Sequence, residues 1–186
     1  MPDDRKAGQE SGPRSFDSGT GARIAIVGPA YPFRGGNALF VAHLYDSLRV
    51  DHDVTVVSYR RLYPSLLFPG RTQMNLSRDP VKITPSRQLI DSVNPVSWVQ
   101  TARWLSHPSR RPDLVIFTWW NPFFGPCLGA LARMVRRSAR SGIVFVCENV
   151  VSHENRRADR LLTRYALSSA AYFLVLSEIV ARLDLG

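Results

Sequence analysis

Three short runs of the chain are apolar at every position: Ile24-Ala25-Ile26-Val27, Leu114-Val115-Ile116-Phe117 and Ile143-Val144-Phe145-Val146-Cys147. A strand with one face in water alternates apolar and polar residues, so runs without alternation belong to strands covered on both faces, as in a parallel sheet. Parallel neighbours cannot be joined by a tight hairpin and need a crossover, usually a helix. Helical spacing follows each run. From Asn37, residues Phe40, Val41, Leu44 and Leu48 share one side, while His43, Asp46 and Arg49 take the other. From about Phe123 to Ser141, Leu128, Leu131, Ala132 and Val135 face inward, and Arg133, Arg136, Arg137 and Arg140 form an opposing basic stripe. Near Asn155 to Ser168, Arg156, Arg160 and Arg164 repeat it.

Asp53 to Ser58 alternates as a further strand, and Ala171 to Leu176 reads as the last one, with Ser177 capping a short terminal helix. Asn94 to Leu105 is a helix with Pro95 in its first turn and Trp98, Ala102 and Leu105 on one side. Pro80, Pro85 and Pro95 make residues 75–96 irregular, and Gly142 closes the helix before it. Arg60 to Arg71 is a Pro- and Gly-broken loop, either a surface flap packed on its own Leu66, Leu67 and Phe68 or a lid or membrane-facing segment. Five strands alternating with helices make a doubly wound, mostly parallel α/β sheet. Residues 1–22 are polar, Gly- and Ser-rich and without either period, a disordered leader ahead of one domain over residues 23–186.

With 186 residues, 45% of them hydrophobic, the chain can bury a real core. Its net charge of +9 is carried mostly by arginine, which predicts anionic company. No zinc motif, helix-turn-helix spacing or RNP-like aromatic pair accompanies the charge, so no nucleic acid is expected. A purely basic helix stripe is usually a solvated face; its other reading is contact with an anionic membrane surface. The leader has no apolar h-region and Asn121, Pro122 and Pro126 break the window from Leu114 to Met134, so the protein is expected in the cytoplasm, at most peripheral to the inner face of the plasma membrane. Cys127 and Cys147 have no CxxC spacing or matching His pair and read as reduced core residues; no metal site is evident.

In a doubly wound sheet, ligands bind outside the carboxyl ends of the strands. The loops there hold Gly35-Gly36, Trp120-Asn121, Glu148-Asn149 and Ser177-Glu178. Gly35 and Gly36 open a helix, where unpaired backbone N–H groups and the helix dipole favour an anion and Arg34 adds a cation; a plain turn with positive φ explains the same glycines. Neither GxGxxG nor GxxxxGK[ST] occurs.

From Arg23 to its end the chain resembles the N-terminal half of a GT-B glycosyltransferase of the retaining family-four type. The resemblance is carried by PAYPFRGGNALFVAHL at Pro29 to Leu44, RRLYPSLLFPG at Arg60 to Gly70, NPVSW at Asn94 to Trp98, PDLVIFTWWNPFFGPC at Pro112 to Cys127 and CENVVSHE at Cys147 to Glu154. It implies a Rossmann-like acceptor-side domain facing a second domain that holds most of a nucleotide-sugar donor. Arg34, Gly35 and Gly36 would lie in the cleft against the donor diphosphate, and Trp120, Asn121, Asn149, His153 and Glu154 would shape the acceptor side. Glu148 stands in CEN where many relatives carry CHN, and Leu176-Ser177-Glu178 where they often read HSE. A carboxylate at 148 can accept a hydroxyl proton, which makes Glu148 the catalytic candidate. The implied substrates are a nucleotide sugar and a lipid-linked or polysaccharide acceptor, with no metal or cofactor. The chain ends near where such a first domain reaches its connection, so the resemblance implies a separately encoded donor-binding domain, or one in a longer parent chain, and no catalysis by this domain alone. The alternative is a noncatalytic, membrane-associated or regulatory remnant.

Overall fold

The computed structural model of the chain describes residues 21–64, 84–148 and 157–176. Strands β1 (Arg23–Val27), β2 (Asp53–Arg61), β3 (Arg87–Asp91), β4 (Leu114–Trp119), β5 (Gly142–Cys147) and β6 (Tyr172–Val175) form one sheet. Helices α1 (Gly36–Leu48), α2 (Pro95–Leu105), α3 (Gly125–Ala139) and α4 (Arg157–Leu167) flank it, with a 3-10 turn at Pro122–Phe124 leading into α3. The order is β3-β2-β1-β4-β5-β6 and every pairing is parallel, giving a Rossmann-like doubly wound α/β fold.

The unalternated runs occupy the central strands β1, β4 and β5, and their side chains divide between two layers. Ala25, Val27, Val115, Phe117, Ile143, Phe145 and Cys147 pack under α2, α3 and α4, where Leu105, Leu128, Leu131, Val135 and Leu167 close the larger core. Ile24, Ile26, Val56, Ile116 and Val146 face the other way, toward Val41, Leu44 and Leu48 of α1. Each fully buried Leu, Ile or Phe contributes about 1.5–3 kcal/mol relative to exposure, so these layers supply the driving force for the sheet. Cys127 and Cys147 are both free and buried in it, as expected.

Several boundaries differ from the sequence reading. Residues 75–96 contain a strand, β3, where only irregular chain is expected. It is an edge strand with Arg87 and Gln88 exposed, so only Leu89 and Ile90 carry an apolar signal, and its register against β2 shifts around Tyr59. Arg61 holds it through an ion pair with Asp91 at 2.7 Å. Thr118 and Trp119 extend β4 two residues beyond the apolar run Leu114 to Phe117, and Trp119 is fully buried. Gly142 begins β5 and does not close α3; Arg140 caps that helix in the left-handed conformation, at φ 53°. The sheet is wholly parallel among the described residues. Residues 1–20 of the expected leader, residues 65–71 of the flap, the following residues 72–83, residues 149–156 and the terminal helix expected after Leu176 lie outside the described residues. Ala22, counted with the leader, is instead held in the fold, its carbonyl accepting from Asp53 N–H. No described helix is long and apolar enough to cross a membrane.

Candidate functional site

The chain reverses its winding between β1 and β4, the two central neighbours that are not consecutive in sequence. The loops leaving their carboxyl ends therefore diverge and leave a crevice, the usual ligand position in such sheets. The loop after β1 is held in place by its backbone: Gly28 N–H donates to Val57 O, Ala30 N–H to Ser58 Oγ at 2.9 Å, and Phe33 N–H to Ala30 O. A Cβ on Gly28 would stand 2.5 Å from Thr118 Oγ1 and 2.8 Å from Val41 Cγ2, so a glycine is required for β1, β4 and α1 to meet.

Arg34, Gly35 and Gly36 follow, all exposed. Gly35 adopts φ 115°, which favours glycine, so the turn reading holds for it. Gly36 is helical, and a Cβ there would meet nothing within 4 Å. No side chain caps α1. Its first N–H groups thus have no side-chain acceptor among the described residues at the positive end of the helix dipole, which is the generic setting for an anion.

Across the crevice, Trp120 and Asn121 leave β4. Asn121 Oδ1 accepts from Phe123 N–H at 2.9 Å and caps the 3-10 turn, so its side-chain carbonyl serves the fold and its amide NH2 is the part left for a ligand. Trp120 joins an aromatic group from two strand ends. Its Nε1 donates to the Tyr63 hydroxyl at 3.3 Å, it packs 4.4 Å from Phe124, and Tyr63 stacks on Phe123 at 5.3 Å. Beneath lies Tyr59, tilted against Phe124 and edge-on to Trp120. Tyr59, Tyr63 and Phe123 are absent from the sequence-derived site. The signal was present in YRRLY and WWNPFF, but joining them needs the knowledge that β2 and β4 both flank β1.

Glu148 follows β5, and its N–H donates to Trp119 O at 2.9 Å, which sets it next to Trp120 in the β4–β5 register. It is half-buried, and burial raises its carboxyl pKa above the ordinary value. Its Oε1 is buried with no hydrogen-bond partner among the described residues. The Tyr59 hydroxyl and Trp119 Nε1 share that condition. Burial, followed by the nearby Cys127 and Tyr63, pushes the Tyr59 hydroxyl well up, so it remains a neutral donor. Burial also takes the Cys147 thiol up to about 11 and the Cys127 thiol further, the latter helped by Asp91. Neither thiol is a nucleophile at neutral pH.

The structure thus gathers Arg34, Gly35, Gly36, Trp120, Asn121 and Glu148 at one edge of the sheet. Asn149, His153 and Glu154 lie outside the described residues. The basic stripe is elsewhere, because α3 starts at the carboxyl edge and runs back toward the amino edge. Arg136, Arg137 and Arg140 are exposed there. Arg133 is turned inward instead, donating to Gly129 O, Tyr165 O and Ser168 Oγ, with its guanidinium 3.9 Å from the Tyr165 ring centroid. Its charge joins α3 to α4 and does not face outward with the other three. Among the described residues no cluster of His, Cys, Asp or Glu is arranged to hold a metal ion.

No family model matches the chain, and no curated protein matches it. Among solved structures it is similar to a crystal structure of a protein of unknown function from Vibrio parahaemolyticus, at 14% identity and a TM-score of 0.42, over 88% of this chain and 98% of that one. That likeness carries no argument about function.

Proposed function

We propose that this domain is the acceptor-side half of a GT-B-type glycosyltransferase, which positions a lipid-linked or polysaccharide acceptor for a sugar carried by a nucleotide. One observation carries the reading: the half-buried Glu148, at the carboxyl end of β5 and one strand from the switch point, keeps a buried carboxylate oxygen without a hydrogen-bond partner among the described residues. Buried polar groups are nearly always satisfied, and a hydroxyl-rich ligand is one way of satisfying the Glu148 oxygen. The aromatic group of Tyr63, Trp120 and Phe123 adds apolar faces of the kind that pack against a sugar ring or an isoprenoid chain.

In this reading Glu148 is the general base or hydrogen-bond acceptor for the attacking hydroxyl, its raised pKa moving it toward the working pH. The open α1 N-terminus, with Arg34, receives the donor diphosphate from one side. A donor-binding domain, encoded separately or in a longer chain, supplies the opposite wall; no metal or further cofactor takes part. The cytoplasmic face of the membrane is the proposed location, and polysaccharide biosynthesis the proposed setting.

The test is genetic and chemical. Membranes from cells lacking the protein are supplied with a panel of radiolabelled nucleotide sugars, and label entering lipid-linked glycan is counted. The reading predicts one label that fails to incorporate, restored by the wild-type chain and not by Glu148→Gln or Trp120→Ala. Full incorporation without the protein would refute it.

The exposed arginines of α3 and α4 favour a second reading, a noncatalytic membrane-associated remnant. That reading predicts equal complementation by wild type and Glu148→Gln, with dependence on the arginines alone.

A further inference from the structure

The amino edge of the sheet, the end opposite the site above, carries a cleft of about 210 Å³. It opens between the first residues of β1, β2 and β3 and the last turn of α2. Arg23, Arg87 and Arg110 are among the residues that line it, with the acidic Asp53, and a second carboxylate, Asp113, accepts from the Arg23 N–H at 2.9 Å. Arg49 and Arg61 pair with Asp46 and Asp91, but Arg23 and Arg87 form no ion pair among the described residues. Arg110 is fixed in place: its Nε donates to Trp104 O at 3.3 Å and its guanidinium carbon lies 5.0 Å from the Trp104 ring centroid. That bond and one from His107 N–H occupy the Trp104 carbonyl, and the Arg110 charge stands at the negative end of α2.

We propose that this cleft binds a small phosphorylated anion. Guanidinium forks suit phosphate oxygens, and three arginines against the two carboxylates of Asp53 and Asp113 leave a net positive site. Size limits the ligand. Drug-sized pockets run from about 300 Å³ upward, so this cleft takes a phosphate or pyrophosphate group with little carbon attached, not a whole nucleotide. Trp104 and Leu105 give it an apolar wall. A five-residue strand such as β1 spans about 16 Å, so an anion here does not touch the carboxyl-edge crevice and is not the transferred substrate. The proposal does not depend on the glycosyltransferase reading.

Isothermal titration of the full chain with inorganic pyrophosphate tests it. The expected result is one saturable site, weakened at least tenfold by Arg23→Gln with Arg87→Gln and unchanged by Arg136→Gln with Arg137→Gln. An unaltered thermal midpoint for the first pair shows that the loss is local. Phosphatidate vesicles distinguish the source of the phosphate: a headgroup ligand displaces pyrophosphate, while a site for a free anion is unaffected, and either result upholds the site. No saturable heat, or equal weakening by the Arg136 and Arg137 changes, overturns the proposal.

Discussion

Glu148 concentrates the chemistry of the carboxyl edge in one residue, and its protonation has a stability signature. The pKa rises on folding from an ordinary value of 4.5 because burial disfavours the charge. The folded state therefore binds this proton more tightly than the unfolded chain, so the associated stability is complete below the unfolded pKa and is lost as pH rises through the folded one. Glu148→Gln is expected to flatten the pH dependence of the thermal midpoint above 4.5 and to leave the midpoint at neutral pH at or above wild type. A lower midpoint with an unchanged slope would show that the carboxylate is structurally satisfied. Two glycines give an opposed pair. Gly28→Ala drives a Cβ into Thr118 and Val41 and should destabilise by about 1–3 kcal/mol in denaturant melts. Gly36→Ala meets open space and should stabilise by about 0.5–1 kcal/mol. Its cost should appear only when a diphosphate must approach the α1 backbone. Both were visible in the sequence as glycines, but only packing separates the one that lets three elements meet from the one that faces outward.

Among the elements, α3 shows best what periodicity reveals and what it hides. Its inward residues Leu128, Leu131, Ala132 and Val135 are buried, as the spacing predicts. The same spacing puts Arg133 with Arg136, Arg137 and Arg140, yet Arg133 is spent on α4 because Tyr165 and Ser168 lie within reach of its guanidinium. Helical spacing describes a face and carries no information about the neighbour that covers part of it. Arg133→Ala should cost about 1–2 kcal/mol in chemical denaturation through lost hydrogen bonds and ring stacking, while Arg136→Ala should stay within about 0.5 kcal/mol. Arg140, in the left-handed region that glycine fills more easily, makes a further prediction: Arg140→Gly should stabilise by about 1 kcal/mol. The strand missed in the sequence, β3, has a parallel cause. Edge strands are half solvated, so Arg87 and Gln88 displace the apolar run that marks β1, β4 and β5.

At the scale of the whole molecule, the strand order decides which loops meet. The doubly wound class was readable because β1, β4 and β5 each contain a run of four or five residues without a polar one, and such strands need cover on both faces. Half of the crevice was readable for the same reason, since carboxyl-end loops follow once strands are placed. The aromatic group was not, because Tyr63 and Phe123 are distant in sequence and meet through the positions of β2 and β4 on either side of β1. Charge separates the molecule further. Arg136 and Arg137 of α3, its cap Arg140, and Arg157, Arg160 and Arg164 of α4 are exposed, with Leu161, 68% exposed, among the last three. If this surface meets anionic lipid, liposomes containing phosphatidylserine should sediment the wild-type chain, lose it on Arg136→Glu with Arg137→Glu, and release it as salt rises. Sedimentation unaffected by those changes would make the stripe solvated charge.

The central claim is that an acceptor occupies the carboxyl-edge crevice at the β1–β4 switch point. Amide chemical-shift mapping of the full chain, titrated with short glycans and with a short-chain isoprenyl phosphosugar, tests it most directly. The account predicts saturable shifts at Gly28 to Gly36, at Trp120 to Phe124 and at Glu148, abolished by Trp120→Ala while the rest of the spectrum keeps its dispersion. Shifts confined to the amino edge near Arg23 and Arg87, or none at saturating glycan, would contradict it.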